Sequence, residues 1–170
     1  MLKYCGCYVT FQEVPNEISL SFTITNCPHR CEGCHSPWLQ SDIGDELTPE
    51  EILYRLKLYQ GGVTCVCFMG VGKNVNALGR LVNYVHSLGL KVSVYTGDES
   101  EEAQRMLIDY FLDHEYYVPD YIKYGPYKKA LGGLDHPSTN QRMLKYDQET
   151  CEFVDITSWF WEKASHQKLE

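Results

Sequence analysis

The chain has 170 residues, 44% of them hydrophobic and 22% charged, a balance typical of one ordinary globular domain. Its 15 Lys and Arg residues and 23 Asp and Glu residues give a net charge of −8, which argues against binding to nucleic acid or to an anionic membrane surface. The longest apolar run, residues 63–71, is too short to cross a membrane, and residues 1–7 lack the apolar core of a secretory signal. We therefore expect a cytoplasmic protein with neither a nucleic-acid nor a membrane partner.

The first regular elements are a strand and a helix separated by a long loop. Residues 18–25 are β-branched and apolar, which predicts a strand, and residues 26–44 contain two prolines and several polar residues, which predicts a loop. Thr48 and Glu51 form a capping box with Pro49 at the first helical position, so we expect a helix to begin there and to end before Gly61.

The same strand and helix unit then recurs along the chain. Residues 63–69, 91–96 and 121–124 read as further strands. A helix over 75–88 is predicted by its apolar stripe and by the terminating Gly89. A third helix, centred on residues 106–111, follows a capping pair formed by Asp98 and Glu101. Beyond residue 126 the pattern is weaker, with a strand near residues 143–146 and a helical turn at residues 159–161.

Alternating strands and helices predict an α/β fold with a mainly parallel sheet. In such sheets the functional site lies beyond the carboxyl ends of the strands. Four loops leave those ends, at residues 27–35, 70–72, 96–98 and 125–127. Three of these loops carry glycines in a setting of low side-chain bulk, which suits a close approach of backbone to a ligand.

The chain has eight cysteines, at positions 5, 7, 27, 31, 34, 65, 67 and 151. Clustered thiols in a reducing compartment are more often metal ligands or catalytic groups than disulfides. Cys27, Cys31 and Cys34 have the spacing Cys-x3-Cys-x2-Cys in the first of the four loops, where Pro28 and Gly33 argue against a helix. A zinc site would need His29 or His35 as fourth ligand, whereas three thiolates can hold a [4Fe–4S] cluster with one iron open to a ligand. The glycine-bearing loops favour the open cluster.

Cysteines at this spacing after a first strand resemble the radical S-adenosylmethionine (SAM) superfamily. Four stretches resemble, more narrowly, the activating proteins of anaerobic ribonucleoside-triphosphate reductase: residues 13–17 (Glu-Val-Pro-Asn-Glu), 31–35 (Cys-Glu-Gly-Cys-His), 125–127 (Gly-Pro-Tyr) and 140–142 (Asn-Gln-Arg). The resemblance covers roughly residues 13–146, which leaves residues 1–12 and 147–170 as extensions of a single domain. Leu169 and Glu170 read as a cloning remnant.

The resemblance implies a fold, a reaction and partners. The fold would be a partial, open TIM-type barrel of repeated βα units. Cys27, Cys31 and Cys34 would ligate a [4Fe–4S] cluster, and reductive cleavage of SAM would generate a radical that abstracts hydrogen from a glycine of the large subunit of the reductase. The electron would come from a low-potential donor such as flavodoxin. The SAM pocket would be lined by Gly33, His35, Gly70, Gly72 and Thr96.

One motif departs from this family. The usual pattern after the second strand is two adjacent glycines and an acidic residue, whereas this chain has Gly70, Val71, Gly72 and Lys73. Two alternative functions stay open at this point: a small-molecule radical SAM enzyme such as a 7-carboxy-7-deazaguanine synthase, and a non-catalytic zinc module with three Cys ligands and one His.

The other cysteines and several aromatic residues give weaker signals. Cys65 and Cys67 lie on a predicted buried strand and read as small core residues. Lys123 and Tyr127 would stabilise the turn after the fourth strand or face the pocket. The functions of Cys5 and Cys7 stay open, as does the choice between core packing and docking for residues 159–161.

Overall fold

The computed structural model describes residues 1–59, 61–99 and 101–161. Within these ranges the chain forms an α/β fold in which three helices accompany one eight-stranded sheet. The strands are β1 (Lys3–Thr10), β2 (Ser19–Ile24), β3 (Asp45–Glu46), β4 (Cys65–Met69), β5 (Lys91–Tyr95), β6 (Tyr121–Tyr124), β7 (Arg142–Asp147) and β8 (Glu152–Asp155). The helices are α1 (Pro49–Leu58), α2 (Val75–Ser87) and α3 (Glu101–Asp113), and Pro37–Gln40 forms a short 3-10 helix.

The sheet is mixed, so the expectation of a mainly parallel sheet is wrong. Its strand order is β3-β1-β2-β4-β5-β6-β7-β8. Only the central pairs β2–β4, β4–β5 and β5–β6 are parallel, and the four outer pairs are antiparallel. The three predicted βα units form the parallel centre because each crossover carries a helix. The flanking strands are joined by loops, which return the chain in the opposite direction.

All three helices cover the same face of the parallel strands. Every second residue of β2, β4 and β5 belongs to one hydrophobic cluster that also contains residues of every helix, and Leu20, Phe68 and Val94 are examples. Ile52 of α1, the buried stripe of α2 and Phe111 of α3 complete this cluster. One-sided coverage of this kind differs from the two-sided coverage of doubly wound sheets.

The opposite face of the same strands is lined by small and polar residues. Register alignment places Ser21, Cys67, Ser93 and Tyr121 in one row across four strands, and all four are buried. A second, smaller cluster covers this face. Its members are Val14, Cys65, Tyr121, Met143 and Ile156, with Tyr95, Leu134, Trp159 and Phe160 packed against them.

The local signals for helix ends agree with the structure, with one exception. Thr48 Oγ1 accepts a hydrogen bond from Glu51 N at 3.2 Å, as a capping box requires, and Gly89 has a positive φ of 76° just beyond α2. Asp98 was expected to cap α3, yet α3 begins three residues later. The Asp98 carboxylate instead accepts a hydrogen bond from Thr96 Oγ1.

Residues outside the resemblance also take part in the sheet. Residues 1–12 contain β1, and Leu2 and Tyr4 are part of the main core. Residues 147–161 contain β8, while residues 162–170, including the suspected cloning remnant, lie outside the described part of the chain. Among the described helices, none combines the length and the apolar character needed to cross a membrane.

Candidate functional site

The parallel strands β2, β4, β5 and β6 end at one edge of the sheet, and the loops that follow them meet there. The register aligns Thr23, Met69, Tyr95 and Lys123 near the ends of these strands. Beyond this row lie the cysteine loop (residues 26–41), the glycine loop (residues 70–74), the Thr96 loop (residues 96–99) and the Gly125 loop (residues 125–133). The predicted site residues all lie on these four loops.

The cysteine loop is held closed at its base. Asn26 N donates to Ser41 O at 3.1 Å and Cys27 N donates to Leu39 O at 2.9 Å, so the two ends of the loop lie side by side. Asn26 has a positive φ of 64°, which turns the chain sharply out of β2. A turn within the loop brings Cys34 N to Cys31 O at 3.3 Å. The three cysteines are therefore presented on one compact, hydrogen-bonded loop.

The three cysteines of this loop carry unpaired thiols, and charge on two of them affects the pKa of the third. Cys27, Cys31 and Cys34 are all free thiols and half-buried. Burial raises the pKa of Cys27, a hydrogen bond from the His29 backbone opposes this increase, and negative charge on Cys31 and Cys34 adds to it. Thiols held together in this way become better ligands once a cation offsets their mutual repulsion.

No three His, Cys, Asp or Glu side chains within the described ranges lie close enough together to hold a single metal ion. A tetrahedral zinc site needs all its ligand atoms about 2.0–2.3 Å from one ion. In a [4Fe–4S] cluster each cysteine thiolate binds a different iron, so the cysteine sulfurs lie farther apart than the ligand atoms around one zinc ion. The two kinds of site therefore require different arrangements of the same loop.

A cavity of about 200 Å³ lies between the cysteine loop, the glycine loop and the Thr96 loop. Its volume is below the about 300–1,000 Å³ usual for a pocket that encloses a small molecule, so it would take the part of a ligand nearest the cysteines. Its lining residues come from the ends of three parallel strands. They are Cys27, Pro28, His29, Gly70, Val71, Gly72, Val75, Thr96, Gly97 and Asp98.

The glycines of this cavity allow close packing of the loops. Gly70 and Gly72 have positive φ angles of 122° and 63°, a region that other residues rarely adopt, and both lie against Ile24 of β2. Gly97 lies under the His29 ring, so near that a Cβ atom there would be 2.6 Å from His29 Cδ2. The three loops therefore pack closely on one another and on β2, and these glycines place no side chain in the cavity.

Asp98 is fixed at the cavity wall by several contacts. Thr96 Oγ1 donates to Asp98 Oδ2 at 2.5 Å, and Gly125 N donates to the Asp98 carbonyl oxygen at 2.8 Å. Asp98 Oδ1 lies 3.6 Å from His29 Nε2 on the cysteine loop. The carboxylate thus links the Thr96 loop to the cysteine loop while its side chain stays 37% exposed.

The Gly125 loop lies against a different part of the cysteine loop. The ring of Tyr127 packs on that of His35 with centroids 4.5 Å apart. A Cβ on Gly33 would be 3.2 Å from Lys129, and Gly33 has a positive φ of 71°. Gly33 and His35 therefore face the Gly125 loop, whereas Cys27, Gly70, Gly72 and Thr96 line the cavity.

Lys123 is a buried cation beneath the cysteine loop. Its side chain lies at the end of β6, where Nζ donates to Gly125 O at 2.7 Å, and the residue is only 8% exposed. Burial lowers the pKa of Lys123 to about 8, opposed by negative charge on Cys31, Cys27 and Glu13. Lys123 therefore stabilises the turn after β6, which is one of the two roles predicted for it. It also places positive charge near two of the cysteines.

The remaining candidates lie away from the cavity. Cys65 and Cys67 are fully buried, which confirms their assignment to the core. Cys7 is half-buried on β1 and desolvation raises its pKa to about 11, whereas Cys5 is exposed. Trp159 and Phe160 pack against the smaller core cluster and Trp161 Nε1 donates to Leu134 O at 2.9 Å, so these aromatic residues serve packing.

Sequence reasoning missed two lining residues with useful chemistry, His29 and Asp98. The sequence indicates His29 as a candidate zinc ligand and Asp98 as a helix cap, but it assigns neither residue to the pocket that both line. Asp98 lies on the short loop after β5, and its place on a strand-end loop is the signal that could have assigned it to the pocket. Comparison of the chain with protein-family models, with curated proteins and with solved structures gives no match.

Proposed function

We propose that the protein is a radical SAM activating enzyme that generates a glycyl radical on an anaerobic ribonucleoside-triphosphate reductase. One observation carries this proposal. Three free cysteines with radical SAM spacing lie on the loop after the first parallel strand, and one of them borders a glycine-lined cavity at the carboxyl edge of the sheet. The family itself is proposed from the sequence motifs.

The donor set of the cysteine loop suits a [4Fe–4S] cluster. Cys27, Cys31 and Cys34 would each bind one iron, and the fourth iron would be left for SAM. When bound and reduced, the cluster would supply the electron for the reductive cleavage of SAM. Lys123 lies near Cys27 and Cys31, where its positive charge offsets part of the thiolate charge.

The loops around the cysteines have separate tasks in this proposal. Gly70, Gly72 and Thr96 line the cavity and would contact the methionine portion of SAM beside the open iron. Backbone carbonyl groups of the glycine loop would accept hydrogen bonds from the ammonium group of SAM. Gly33 and His35 lie on the other side of the cysteine loop and would hold the cluster and the adenosine side of SAM against the Gly125 loop.

An open barrel is the architecture that we propose for the four parallel strands. Two observations support an open barrel: all three helices cover one face of these strands, and the opposite face is lined by small and polar residues. In a complete TIM barrel the latter face is the interior. A barrel with few strands leaves a side open, through which the glycine-bearing loop of the large subunit of the reductase could reach the site.

The proposed enzyme would be cytoplasmic and would receive its electron from a reduced donor protein. All eight cysteines are free thiols, which is usual in a reducing compartment. A low-potential donor such as flavodoxin would deliver the electron to the cluster.

Cluster assembly and SAM cleavage test the enzyme directly. The full chain is reconstituted with iron and sulfide without oxygen, reduced and mixed with SAM, and 5′-deoxyadenosine is measured by chromatography. We expect Cys31→Ala to lose both iron and cleavage, because two thiolates cannot hold the cube. The matched control is Cys151→Ala, which removes an exposed cysteine on the turn before β8 and should leave both unchanged. Cleavage by Cys31→Ala, or zinc bound in place of iron, would contradict the proposal.

A second experiment tests the partner. The reduced protein is mixed with SAM and the large subunit of an anaerobic ribonucleotide reductase, and electron paramagnetic resonance is used to detect a glycyl radical. A signal that requires both proteins and SAM supports the assignment. SAM cleavage without such a signal would retain the superfamily and exclude this partner.

A further inference from the structure

We propose that Asp98 binds the ammonium group of SAM and replaces the acidic residue that the family usually has after the second strand. The inference rests on the proposed function, because it assigns a residue to the ligand of that site. It also explains how the chain can hold SAM although Lys73 occupies the acidic position.

The first step of the argument is the composition of the cavity. Of the ten described residues that line it, Asp98 is the only acidic one. Lys73 is exposed and stands outside this lining. A ligand that carries an ammonium group beside Cys27 therefore meets one carboxylate in this cavity, and that carboxylate comes from the Thr96 loop.

The second step is the orientation of the carboxylate. Oδ2 already accepts a hydrogen bond from Thr96 Oγ1, and the backbone of Asp98 is held by Gly125 N. Thr96 itself is buried, so the group that orients Asp98 cannot easily swing away. Oδ1 lies at the cysteine side, 3.6 Å from His29 Nε2, and the side chain keeps access to solvent.

The third step is the relation of Asp98 to the glycine loop. Gly70 and Gly72 line the same cavity and place no side chain in it. An ammonium group has three donors, so it can be shared between a carboxylate and neighbouring carbonyl oxygens. A charge-assisted hydrogen bond to a preorganised carboxylate is stronger than one to a neutral acceptor. We therefore assign recognition of the ammonium charge to Asp98, while Gly70 and Gly72 determine the shape of the cavity.

Binding measurements with three ligands test this assignment. The reconstituted, unreduced full chain is dialysed to equilibrium against SAM, S-adenosylhomocysteine or 5′-methylthioadenosine. SAM and S-adenosylhomocysteine carry the ammonium group, and 5′-methylthioadenosine lacks it. We expect Asp98→Asn to weaken the first two by at least about tenfold, the size of one hydrogen bond to a charged group, and to leave the third unchanged. Asn keeps an oxygen that can accept from Thr96, so the loop should hold its shape.

Asp109→Asn, an equal charge change at an exposed position of α3, is the control and should bind all three ligands as the wild type does. Iron content is measured for each variant to verify that the cluster is intact. Three results would overturn the inference: unchanged SAM affinity in Asp98→Asn, equal weakening of all three ligands, or weakening of SAM alone, which would indicate contact with the sulfonium. A wild-type protein that binds iron but no SAM would instead refute the proposed function.

Discussion

Glu17 connects the starts of all four parallel strands, at the end of the sheet opposite the site. It lies two residues before the first residue of β2, and its carboxylate accepts hydrogen bonds from Lys91 Nζ at 2.5 Å, Thr64 Oγ1 at 2.7 Å and Tyr121 OH at 2.7 Å. Thr64 precedes β4, while Lys91 and Tyr121 are the first residues of β5 and β6. One carboxylate therefore holds four chain segments that are distant in sequence, and its removal should lower the stability of the whole sheet.

The size of the effect depends on which donors are buried. Tyr121 is 2% exposed, so its hydroxyl would lose a charged acceptor without gaining water, a penalty of about 2 kcal/mol. Thr64 is exposed and the Lys91 side chain is 50% exposed, so together they add only about 1 kcal/mol. We expect Glu17→Ala to lower the free energy of unfolding by about 3 kcal/mol, and Glu17→Gln by about 1–2 kcal/mol because the amide oxygen can still accept one hydrogen bond.

Equilibrium unfolding of the reduced protein in guanidinium chloride measures this change. A loss of 3 kcal/mol should move the midpoint down by about 1 M at an unchanged slope. Glu152→Gln, at an exposed position of β8, is the control and should stay within about 0.5 kcal/mol of the wild type. If Glu17→Ala shifted the midpoint no more than Glu152→Gln does, the reasoning about the strand starts would be refuted.

The same carboxylate predicts a pH dependence. Burial acts to raise the pKa of Glu17, but the hydrogen bonds from Lys91, Thr64 and Tyr121 outweigh it and hold the pKa below its ordinary value. A carboxyl group with a lowered pKa in the folded state stabilises the fold above its unfolded pKa of about 4.3, and this stabilisation is lost as the pH falls through the folded value. The stability difference between the wild type and Glu17→Gln should be constant above about pH 5 and shrink on further acidification. A difference that grew below pH 4 would contradict this sign.

Two glycine substitutions test the packing of the site and of the helices. Gly97→Ala places a Cβ 2.6 Å from His29 Cδ2, so it should displace the cysteine loop and lower the iron content after reconstitution. Gly62→Ala is the control: its nearest described contact is a carbonyl oxygen at 3.3 Å, so this variant should bind iron as the wild type does. Equal iron loading by both variants would contradict the close packing of the two loops. Gly79→Ala would ordinarily stabilise α2 by about 1 kcal/mol, but its Cβ would overlap the Tyr116 ring at 2.2 Å, so we expect a loss of about 1–3 kcal/mol in thermal or denaturant unfolding. A more stable Gly79→Ala protein would show that the ring moves aside freely.

The sequence determined the parallel centre of this protein because local signals define it. Hydrophobic periodicity, the Thr48 capping box and Gly89 each act over a few residues, and all three helices and the central strands lie where these signals predict them. The gathering of four strand-end loops follows from the same pattern, since parallel strands joined by helices end at one edge. The cysteine spacing is also a local property, and it can be read without the fold.

The tertiary structure decided what depends on contacts between distant segments. β1 pairs antiparallel with β2 and β7 with β6, the two outer strands of the parallel centre. The hydrophobic pattern of residues 3–10 and 142–147 does not predict these pairing partners. Asp98 reads as a helix cap in sequence, yet it lies at the cavity wall because Thr96 and Gly125 hold it there. Strand pairing and side-chain direction are fixed by the packing of the whole sheet, and only the folded chain therefore brings a carboxylate to the cavity beside Cys27.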